Sequence, residues 1–325
     1  MILTQTKMLS AIAFVATIVP QFASAQNYPD RAVRVIVPAA PGGPSDVMGR
    51  IIAQKLSEAW GQQFVVENMP TGAGNVAVGM VAKAPPDGYT ILTPTSAVIV
   101  NPSLYAKLPY DTVRDFAAVT NAAASPHVLT VNPSVPAKDV KELIAWVKAN
   151  PGKYSYASPG TGTTGQLAGE LFRLSLGLDL THVPFNGAAQ ALTSTIAGHT
   201  PIMMGALPGA APHIKDGKLR ALAVTSAKRD PGFPDVPTLT ESGSPDQESE
   251  FIQAVLVPTG TPKPIIDKLY REIARIVALP EVKQRLAALG YTPVANTPEE
   301  FTAQIKTDVA RWAKVIRDAG IKQIE

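Results

Sequence analysis

Three glycines in the stretch SPGTGTTGQL (158–167) have the spacing of a dinucleotide-binding turn. Gly160, Gly162 and Gly165 spell G-x-G-x-x-G, with a strand-like run before them and a helix-like run after them. This is the context in which the motif is informative. The backbone amides of such a turn lie at a helix N-terminus, where the helix dipole favours negative charge. The stretch therefore predicts an anion-binding turn.

A dinucleotide or a nucleoside triphosphate fits this turn poorly. A dinucleotide site has an acidic residue about 20 positions later, at the end of the second strand. The nearest acidic residue, Asp179, precedes the next strand-like run THVPF instead of ending it. A P-loop has lysine after its last glycine, where this chain has Gln166. We therefore predict another anion, with the hydroxyls of Thr161, Thr163 and Thr164 as further donors.

Three more turns follow strand-like runs in the same way: PAAPGGPSD (38–46), TPTSA (93–97) and PFNGAA (184–189). Strand ends and helix starts face the ligand crevice in open α/β sheets. Two such turns from two lobes would clamp a carboxylate between them. Each turn is equally compatible with a tight turn that ends in a helix cap.

Signatures of catalysis and of metal binding are missing from the sequence. The motifs G-x-S-x-G and S-x-x-K are absent. The histidines at 127, 182, 199 and 213 form no i, i+4 pair, and no cysteine can join them. We interpret His182 and His199 as structural or surface residues, while a Ser-His-Asp triad built from distant residues stays open. We predict that the protein is not an enzyme and has neither cofactor nor metal.

The elements that must position these turns alternate between strand and helix. From VRVIVP (33–38) onward the pattern is β-α-β-α-β, and it restarts at HVLTVN (127–132). This alternation is typical of parallel sheets flanked by helices. After FIQAVLVP (251–258) the sequence predicts helices only.

The restart of the pattern predicts two lobes. Residues 26–124 and 250–325 form the first and residues 125–249 the second, with crossover strands near 120–126 and 250–256. The last helices would pack on the first lobe. One large doubly wound domain is the alternative.

The N-terminus has the pattern of a secretory signal peptide, residues 1–25. Lys7 supplies the positive region, MLSAIAFVATIV the apolar region, and the A-x-A run at 23–25 the cleavage site. A buried N-terminal helix or a membrane anchor is the alternative. Cleavage would leave a chain that begins at Gln26 and works in the periplasm.

The composition excludes several classes of protein. The chain has 29 Lys and Arg against 26 Asp and Glu and no dense basic run, so nucleic acid is not an expected partner. It has no cysteine, which excludes a disulfide framework and requires a packed core. No apolar segment after the N-terminal one is long enough to cross a membrane.

The chain resembles the Bug-type periplasmic solute-binding proteins of tripartite tricarboxylate transporters over essentially all of residues 28–325. The resemblance rests on seven runs in order: YPDRAVRVIVPAAPGG, VVENMPTGAGN, PPDGYTIL, NPSLYAKLPYDTVRDFAAVT, YASPGTGTTGQLAGELF, HVPFNGAAQALT and KLRALAVTSAKRDPGFPDVPTLTESG. It implies a two-lobed α/β periplasmic-binding-protein fold of type II, each lobe a mostly parallel sheet flanked by helices. It also implies a monomer that closes on a small carboxylate in the interlobe cleft and delivers it to a membrane permease. An exported α/β hydrolase and a ligand receptor for a sensor system are the competing functions.

In that family, backbone amides, hydroxyls and water hold the carboxylate rather than Arg or Lys. Helix dipoles and aligned N–H groups make this physically reasonable. The resemblance implies these ligand-binding residues: Ala39, Pro41, Gly42, Gly43, Ser45, Asp46, Ser96, Ala97, Ser158, Gly160, Thr161, Gly162, Thr163, Thr164, Phe185, Asn186, Gly187, Gly205 and Ala206.

Three places depart from the family's pattern. Ala39 replaces a frequent aromatic residue, Gly205 and Ala206 replace an Asp-Asn pair, and an aromatic residue of the family is replaced around Ser249-Glu250-Phe251. These changes leave room for a bulky, uncharged ligand body. They also remove the acid that would pair with an ammonium group, whose burial alone is costly. We therefore expect a dicarboxylate or an aromatic acid rather than an amino acid.

Overall fold

The computed structural model of the chain describes residues 27–42, 44–72 and 74–325. The predicted signal peptide (1–25) and the predicted site residue Gly43 lie outside this part. Strands and helices alternate through most of the described chain, as the sequence predicts.

The strands are β1 (Val33–Val37), β2 (Phe64–Asn68), β3 (Thr90–Leu92), β4 (Phe116–Val131), β5 (Tyr154–Ser158), β6 (Leu180–Pro184), β7 (Ile202–Ala206), β8 (Arg220–Val224), β9 (Glu250–Pro258) and β10 (Thr292–Pro293). The helices are α1 (Pro44–Trp60), α2 (Asn75–Ala82), α3 (Ala97–Leu104), α4 (Val140–Lys148), α5 (Thr164–Ser175), α6 (Ala188–Ile196), α7 (Leu207–Lys215), α8 (Lys263–Ala278), α9 (Pro280–Ala288) and α10 (Pro298–Asp318).

Two groups of strands share β4. The first group has the order β2-β1-β3-β9-β4, in which β2, β1 and β3 are parallel while β9 is antiparallel to both of its neighbours. The second has the order β4-β7-β5-β6, with β7, β5 and β6 parallel, and β7 and β8 both antiparallel to β4. Each group therefore has a parallel part whose strand ends can present loops to one edge.

The strand β4 runs through both groups. Its first part pairs with β9, from Phe116 opposite Pro258 to Pro126 opposite Glu250. Its second part pairs with β7, from His127 opposite Ala206 onward. The predicted crossover segments lie in β4 and β9, and we use "first half" and "second half" for the predicted lobes, whose boundaries remain a prediction.

The helices bury their apolar faces against these sheets. In α1, Ile51, Ile52 and Leu56 are buried, in the spacing that the sequence predicts for one helix face. The C-terminal helices complete the first half: Leu269 and Ile273 of α8 join the core beneath β1, and Phe301 of α10 joins a neighbouring core with residues of α3. Each fully buried side chain of this kind contributes about 1.5–3 kcal/mol.

The expectation of helices alone after β9 is wrong in one place. The two-residue strand β10 pairs antiparallel with β4, with Thr292 opposite Ala124 and Pro293 opposite Ala123. A strand this short has no alternating pattern and takes its conformation from the partner strand, so the sequence carries no local signal for it. Among the described helices, none combines the length and the apolar character needed to cross a membrane.

Candidate carboxylate-binding site

The turn between β5 and α5 contains the glycine motif and reaches toward the other half of the molecule. Gly160 and Gly162 have positive φ angles of 145° and 78°, which favour glycine. A Cβ atom on Gly162 would lie 3.0 Å from Leu104 Cδ1, at the end of α3 in the first half. The turn therefore lies where the two halves meet, as the sequence predicts.

The amides of the two central glycines are already occupied by side chains. Gly160 N–H donates to Ser158 Oγ at 3.2 Å, and Gly162 N–H donates to Gln166 Oε1 at 2.6 Å. The expectation that these amides are free to meet a ligand does not hold in this conformation. They shape the turn, because each one fastens the backbone to a neighbouring side chain.

The predicted hydroxyl donors of this turn are also largely engaged. Thr163 is the N-cap of α5, and its hydroxyl donates to Gly160 O at 2.7 Å and accepts from Gln166 N–H at 3.3 Å. Thr164 Oγ1 lies 3.0 Å from His127 Nε2. Thr161 is exposed, and within the described chain its hydroxyl has no protein partner.

His127 connects this turn to the strands that join the halves. Its ring is buried on β4, with Nδ1 lying 3.2 Å from the carbonyl oxygen of Ser249, just before β9. A carbonyl only accepts, so Nδ1 carries the proton and Nε2 accepts from Thr164 O–H. Burial lowers the pKa of His127 to about 4, which keeps the ring neutral near pH 7.

The donors left for a ligand are at the start of α5. Thr164 and Gly165 are its first two residues, and by position their amides have no partner within the helix. Within the described chain, neither amide makes a hydrogen bond to another protein group. These two amides, with the positive end of the helix dipole, can bind a carboxylate oxygen.

The turn at 185–187 lies directly against the glycine turn. Phe185 N–H donates to Ser158 O at 3.1 Å, and Gly187 N–H donates to Pro159 O at 2.9 Å. Asn186 N–H donates to Gln190 Oε1 at 3.2 Å. The amides of Phe185 and Gly187 hold the two turns together and that of Asn186 bonds to α6, so the Asn186 side chain is the free polar group that this turn offers.

The corresponding turn of the first half, between β1 and α1, is held by a carboxylate. Asp46 is only 3% exposed and accepts from Gly42 N–H at 2.8 Å and from Asn68 Nδ2 at 2.9 Å. Arg50 on the next turn of α1 forms an ion pair with it at 2.9 Å. Burial alone would raise the pKa of Asp46, but the hydrogen bonds from Arg50, Gly42 and Asn68 outweigh burial and lower it. The carboxylate stays ionised and fixes the turn instead of repelling an anion as a free charge.

The remaining predicted residues of this turn are less engaged. The Ser45 hydroxyl is buried and has no hydrogen-bond partner in the described part of the chain. Pro41 is exposed, and Ala39 is half-buried with its carbonyl accepting from Asn68 Nδ2 at 3.1 Å. Ser45 is therefore the uncommitted hydroxyl at the start of α1.

Ser96 and Ala97 form the start of α3 and are tied to β9. Ser96 Oγ accepts from Ile252 N–H at 2.9 Å and donates to Glu250 O at 3.2 Å. Ala97 N–H donates weakly to Thr95 Oγ1 at 3.4 Å. Ser96 therefore fastens the helix start to the strand that returns to the first half.

Gly205 and Ala206 end β7, but Gly205 leaves no open space. A Cβ atom on Gly205 would lie 2.5 Å from Met203 Cε, so the Met203 methyl occupies the volume that a side chain would need. Ala206 lies opposite His127 and is the N-cap of α7. This packing argues against the expectation that Gly205 enlarges the pocket, while the same expectation for Ala39 and Ala206 stays a prediction.

A serine and a histidine stand at the distance of a nucleophile and its base. Ser158 Oγ and His182 Nε2 are 2.7 Å apart, while His182 Nδ1 lies 3.2 Å from Gln166 Nε2. A catalytic triad has a carboxylate at that third place. Because Gln166 Oε1 already accepts from Gly162, its amide nitrogen donates to Nδ1. The ring proton then sits on Nε2 and is donated to Ser158, so this histidine cannot accept the serine's proton.

The electrostatics of the site come from helix ends. The four turns at 38–46, 93–97, 158–165 and 184–189 contain no Lys or Arg. In the described part of the chain, no cluster of three or more His, Asp or Glu could hold a metal ion. The arrangement can bind an anion without a cation, through N–H groups at two helix starts.

Sequence reasoning missed the residues that shape the turns. Asn68 and His127 were not considered as part of the site, His182 was treated as structural or surface, and Gln166 was noted only as a missing lysine. The spacing of Gln166 from Gly162, one helical turn, is the signal that could have found it. The two histidines come from other strands and give no local signal.

Comparisons with known proteins show which family the chain is similar to. The family model described as "Tripartite tricarboxylate transporter family receptor" matches residues 48–321. Protein BugT of Bordetella pertussis is 35% identical over 324 residues, which is 98% of this chain and 99% of that protein. A solved R. palustris protein with adipate is 34% identical, with a TM-score of 0.73, covering 91% of this chain and 100% of that one. MatC from Rhodopseudomonas palustris, solved with bound malate, is 31% identical, with a TM-score of 0.67, covering 89% and 100%.

Proposed function

Because the chain belongs to the tripartite tricarboxylate transporter receptor family, we propose that it captures a small dicarboxylate in the periplasm and delivers it to the permease of such a transporter. The family is one of solute-binding receptors, and the two-lobed type II periplasmic-binding-protein fold expected from the sequence is confirmed. The resemblance to Bug-type proteins is confirmed as well. Export through a cleaved signal peptide and the identity of the permease are parts of the proposal.

The observation that carries the proposal is the pair of helix starts, one in each half, whose turns contain no Lys or Arg. At α5 the amides of Thr164 and Gly165 are uncommitted, and at α1 the Ser45 hydroxyl is uncommitted. Helix N-termini favour anions by about 0.3–1 kcal/mol each, and more where they are partly buried. A molecule with two carboxylates has one for each helix start.

Support for a dicarboxylate comes from two relatives. The R. palustris protein was solved with adipate and MatC with malate, and both ligands carry two carboxylates. Among the four turns of the proposed site, Asp46 is the acidic residue, and it is engaged by Arg50, Gly42 and Asn68. An amino-acid ligand would bury its ammonium at a cost of several kcal/mol.

Calorimetry with a ligand panel tests the proposal. The panel contains adipate, malate, succinate, benzoate, phthalate, aspartate and glutamate, each titrated at neutral pH. We expect the dicarboxylates adipate, malate or succinate to bind at least tenfold more tightly than benzoate and than the amino acids, a difference of about 1.4 kcal/mol. Tight binding of aspartate or glutamate would contradict the proposal, and equal binding of benzoate would reduce the site to a single carboxylate.

Closure of the two halves is the second part of the proposal. Small-angle scattering at saturating ligand is expected to give a smaller radius of gyration than the ligand-free protein, as in hinge closure. An unchanged radius would argue for one rigid unit.

We also propose that the protein is not an enzyme, because the Ser158–His182 pair has the wrong proton arrangement for catalysis. Hydrolysis of ester substrates by the protein, lost in a Ser158→Ala variant, would refute this.

A further inference from the structure

A continuous chain of hydrogen bonds links the two glycine amides through His182. Gly162 N–H donates to Gln166 Oε1, Gln166 Nε2 donates to His182 Nδ1, His182 Nε2 donates to Ser158 Oγ, and Gly160 N–H also donates to Ser158 Oγ. The distances are 2.6, 3.2, 2.7 and 3.2 Å. His182 thus contacts both side chains that accept from the glycine amides, Gln166 and Ser158.

The direction of every bond in this chain follows from its two ends. A backbone N–H can only donate, so Gln166 must turn its oxygen toward Gly162 and its nitrogen toward His182. The ring then accepts at Nδ1 and donates at Nε2. A neutral imidazole has one proton and satisfies this pattern, whereas an imidazolium has two donors and does not.

A second proton on His182 breaks this series of hydrogen bonds in either orientation of the Gln166 amide. If Gln166 keeps its orientation, its amide nitrogen faces a ring N–H. If the amide rotates, its nitrogen faces the N–H of Gly162 instead. In both cases two donors meet, and the turn loses the tether on Gly162.

The groups around His182 favour the neutral ring. From β5, the Tyr156 ring lies 5.0 Å from the His182 ring between centroids. From α5, Glu170 is buried, accepts from Tyr156 O–H at 2.7 Å and pairs with Arg173 at 2.5 Å. Burial lowers the pKa of His182; the charge of Glu170 raises it, and that of Arg173 lowers it further. The α6 helix, which packs on β5, contributes no ionisable side chain.

We propose that His182 is a positioning residue that holds the glycine turn in its ligand-binding form only while its ring carries a single proton. The inference rests on the proposed function, because it assumes that the start of α5 binds the ligand. It makes ligand affinity depend on pH through a residue that does not itself contact the ligand. Acidification would loosen the turn and release the ligand.

Calorimetry with adipate and malate at pH 7.5 and pH 5.5 tests this. For the unsubstituted protein we expect the Kd to rise by roughly two- to tenfold at the lower pH, the equivalent of one hydrogen bond. The His182→Gln variant should bind more weakly at pH 7.5 and lose most of this pH dependence. His199→Gln is the matched control, since it removes an exposed histidine of the same half, and its profile should parallel that of the unsubstituted protein.

The Gln166→Glu variant gives the sharper readout. A carboxylate accepts both from Gly162 N–H and from a protonated His182, so this variant should bind as well at pH 5.5 as at pH 7.5, or better. The added negative charge lowers the ligand affinity at both pH values. The quantity to compare is therefore the change in Kd between pH 7.5 and pH 5.5. A pH dependence like that of the unsubstituted protein, in either His182→Gln or Gln166→Glu, would overturn the inference.

The failure of this inference differs from the failure of the proposed function. If neither adipate nor malate binds at any pH, the proposed function fails for these ligands. In that case, hydrogen exchange of the Gly162 amide in the ligand-free protein still tests whether the hydrogen bonds through His182 hold the turn. The inference is supported if the amide exchanges faster at pH 5.5 than the intrinsic pH dependence predicts. It is refuted if the exchange follows the intrinsic rate alone.

Discussion

The two helix starts of the proposed site are built by different chemistry. At α1 a charged carboxylate, Asp46, fixes the turn together with Arg50 and Asn68. At α5 neutral side chains do the same task, with Gln166 and two histidines at the junctions. The first arrangement depends on a carboxylate whose pKa is lowered by its hydrogen bonds, so that it stays ionised in mild acid. The second depends on histidines that must stay neutral, so only the second half should respond to mild acid.

The largest effect that we expect to distinguish the two helix starts is a loss of folding stability in acid through His127. Its folded pKa of about 4 lies below the unfolded value of 6.5, so the unfolded state binds the proton more tightly. Stability is then full above pH 6.5 and falls as the pH drops toward 4, by about 3 kcal/mol at 1.36 kcal/mol for each pH unit. Urea unfolding at pH 7 and pH 4.5 measures it, and His127→Gln should remove that part of the loss. An equal loss in both proteins would contradict the assignment.

The carboxylate turn should keep its contribution to stability over this range. The folded pKa of Asp46 is lowered, so its contribution is present above the unfolded value near 3.8 and is lost only at lower pH. Replacing it is the way to break the first turn. Asp46→Ala leaves Gly42 N–H, Asn68 and Arg50 without their acceptor and should cost roughly 2 kcal/mol of unfolding free energy.

Asp216→Ala is the matched control for Asp46→Ala. Asp216 pairs with the exposed Lys218, whose side chain is 55% exposed. Such surface ion pairs contribute about 0–1 kcal/mol. Chemical unfolding of both variants decides the question. Similar losses of unfolding free energy in both would mean that Asp46 stabilises the fold no more than an exposed ion pair does.

Glycine substitutions separate backbone strain from contact between the halves. Gly162 and Gly177 both have positive φ, at 78° and 61°, but a Cβ atom meets Leu104 at 3.0 Å in the first and nothing within 4 Å in the second. Both alanine variants should lose about 1 kcal/mol of stability through the φ strain. Only Gly162→Ala should also weaken ligand binding, because its turn lies between the halves. Calorimetry with adipate measures this, and unchanged affinity in Gly162→Ala would leave the turn without a role in binding.

The smallest expected effect concerns selectivity at the first turn. Ala39 is half-buried, and the resemblance to the Bug-type pattern implies a larger, aromatic side chain at this place. Ala39→Phe should lower the affinity for a bulky dicarboxylate such as adipate by several-fold more than for succinate, since a methylene group is worth about 0.8 kcal/mol on burial. A ratio of the two dissociation constants that does not change would place Ala39 outside the ligand pocket.

The sequence predicted the order of elements and the places of the turns because these follow from local patterns. The periodicity of α1 and the strand–glycine–helix order at β5–α5 are examples of such local information. It did not predict which amides are free. The bonds of Gly160 and Gly162 depend on side chains that are oriented by His182, and Thr164 is engaged by His127, 37 positions away. The Met203 methyl that fills the space at Gly205 is likewise a packing result.

The shared strand β4 also sets the order in which the chain can fold. Phe116 must find Pro258, and β10 must return to Ala123, before the first sheet is complete. Contacts between residues so far apart in sequence form slowly, because a long loop must close first. The segment between them contains β5, β6 and β7, whose mutual pairings are much more local. We expect these strands to assemble before β9 pairs with β4.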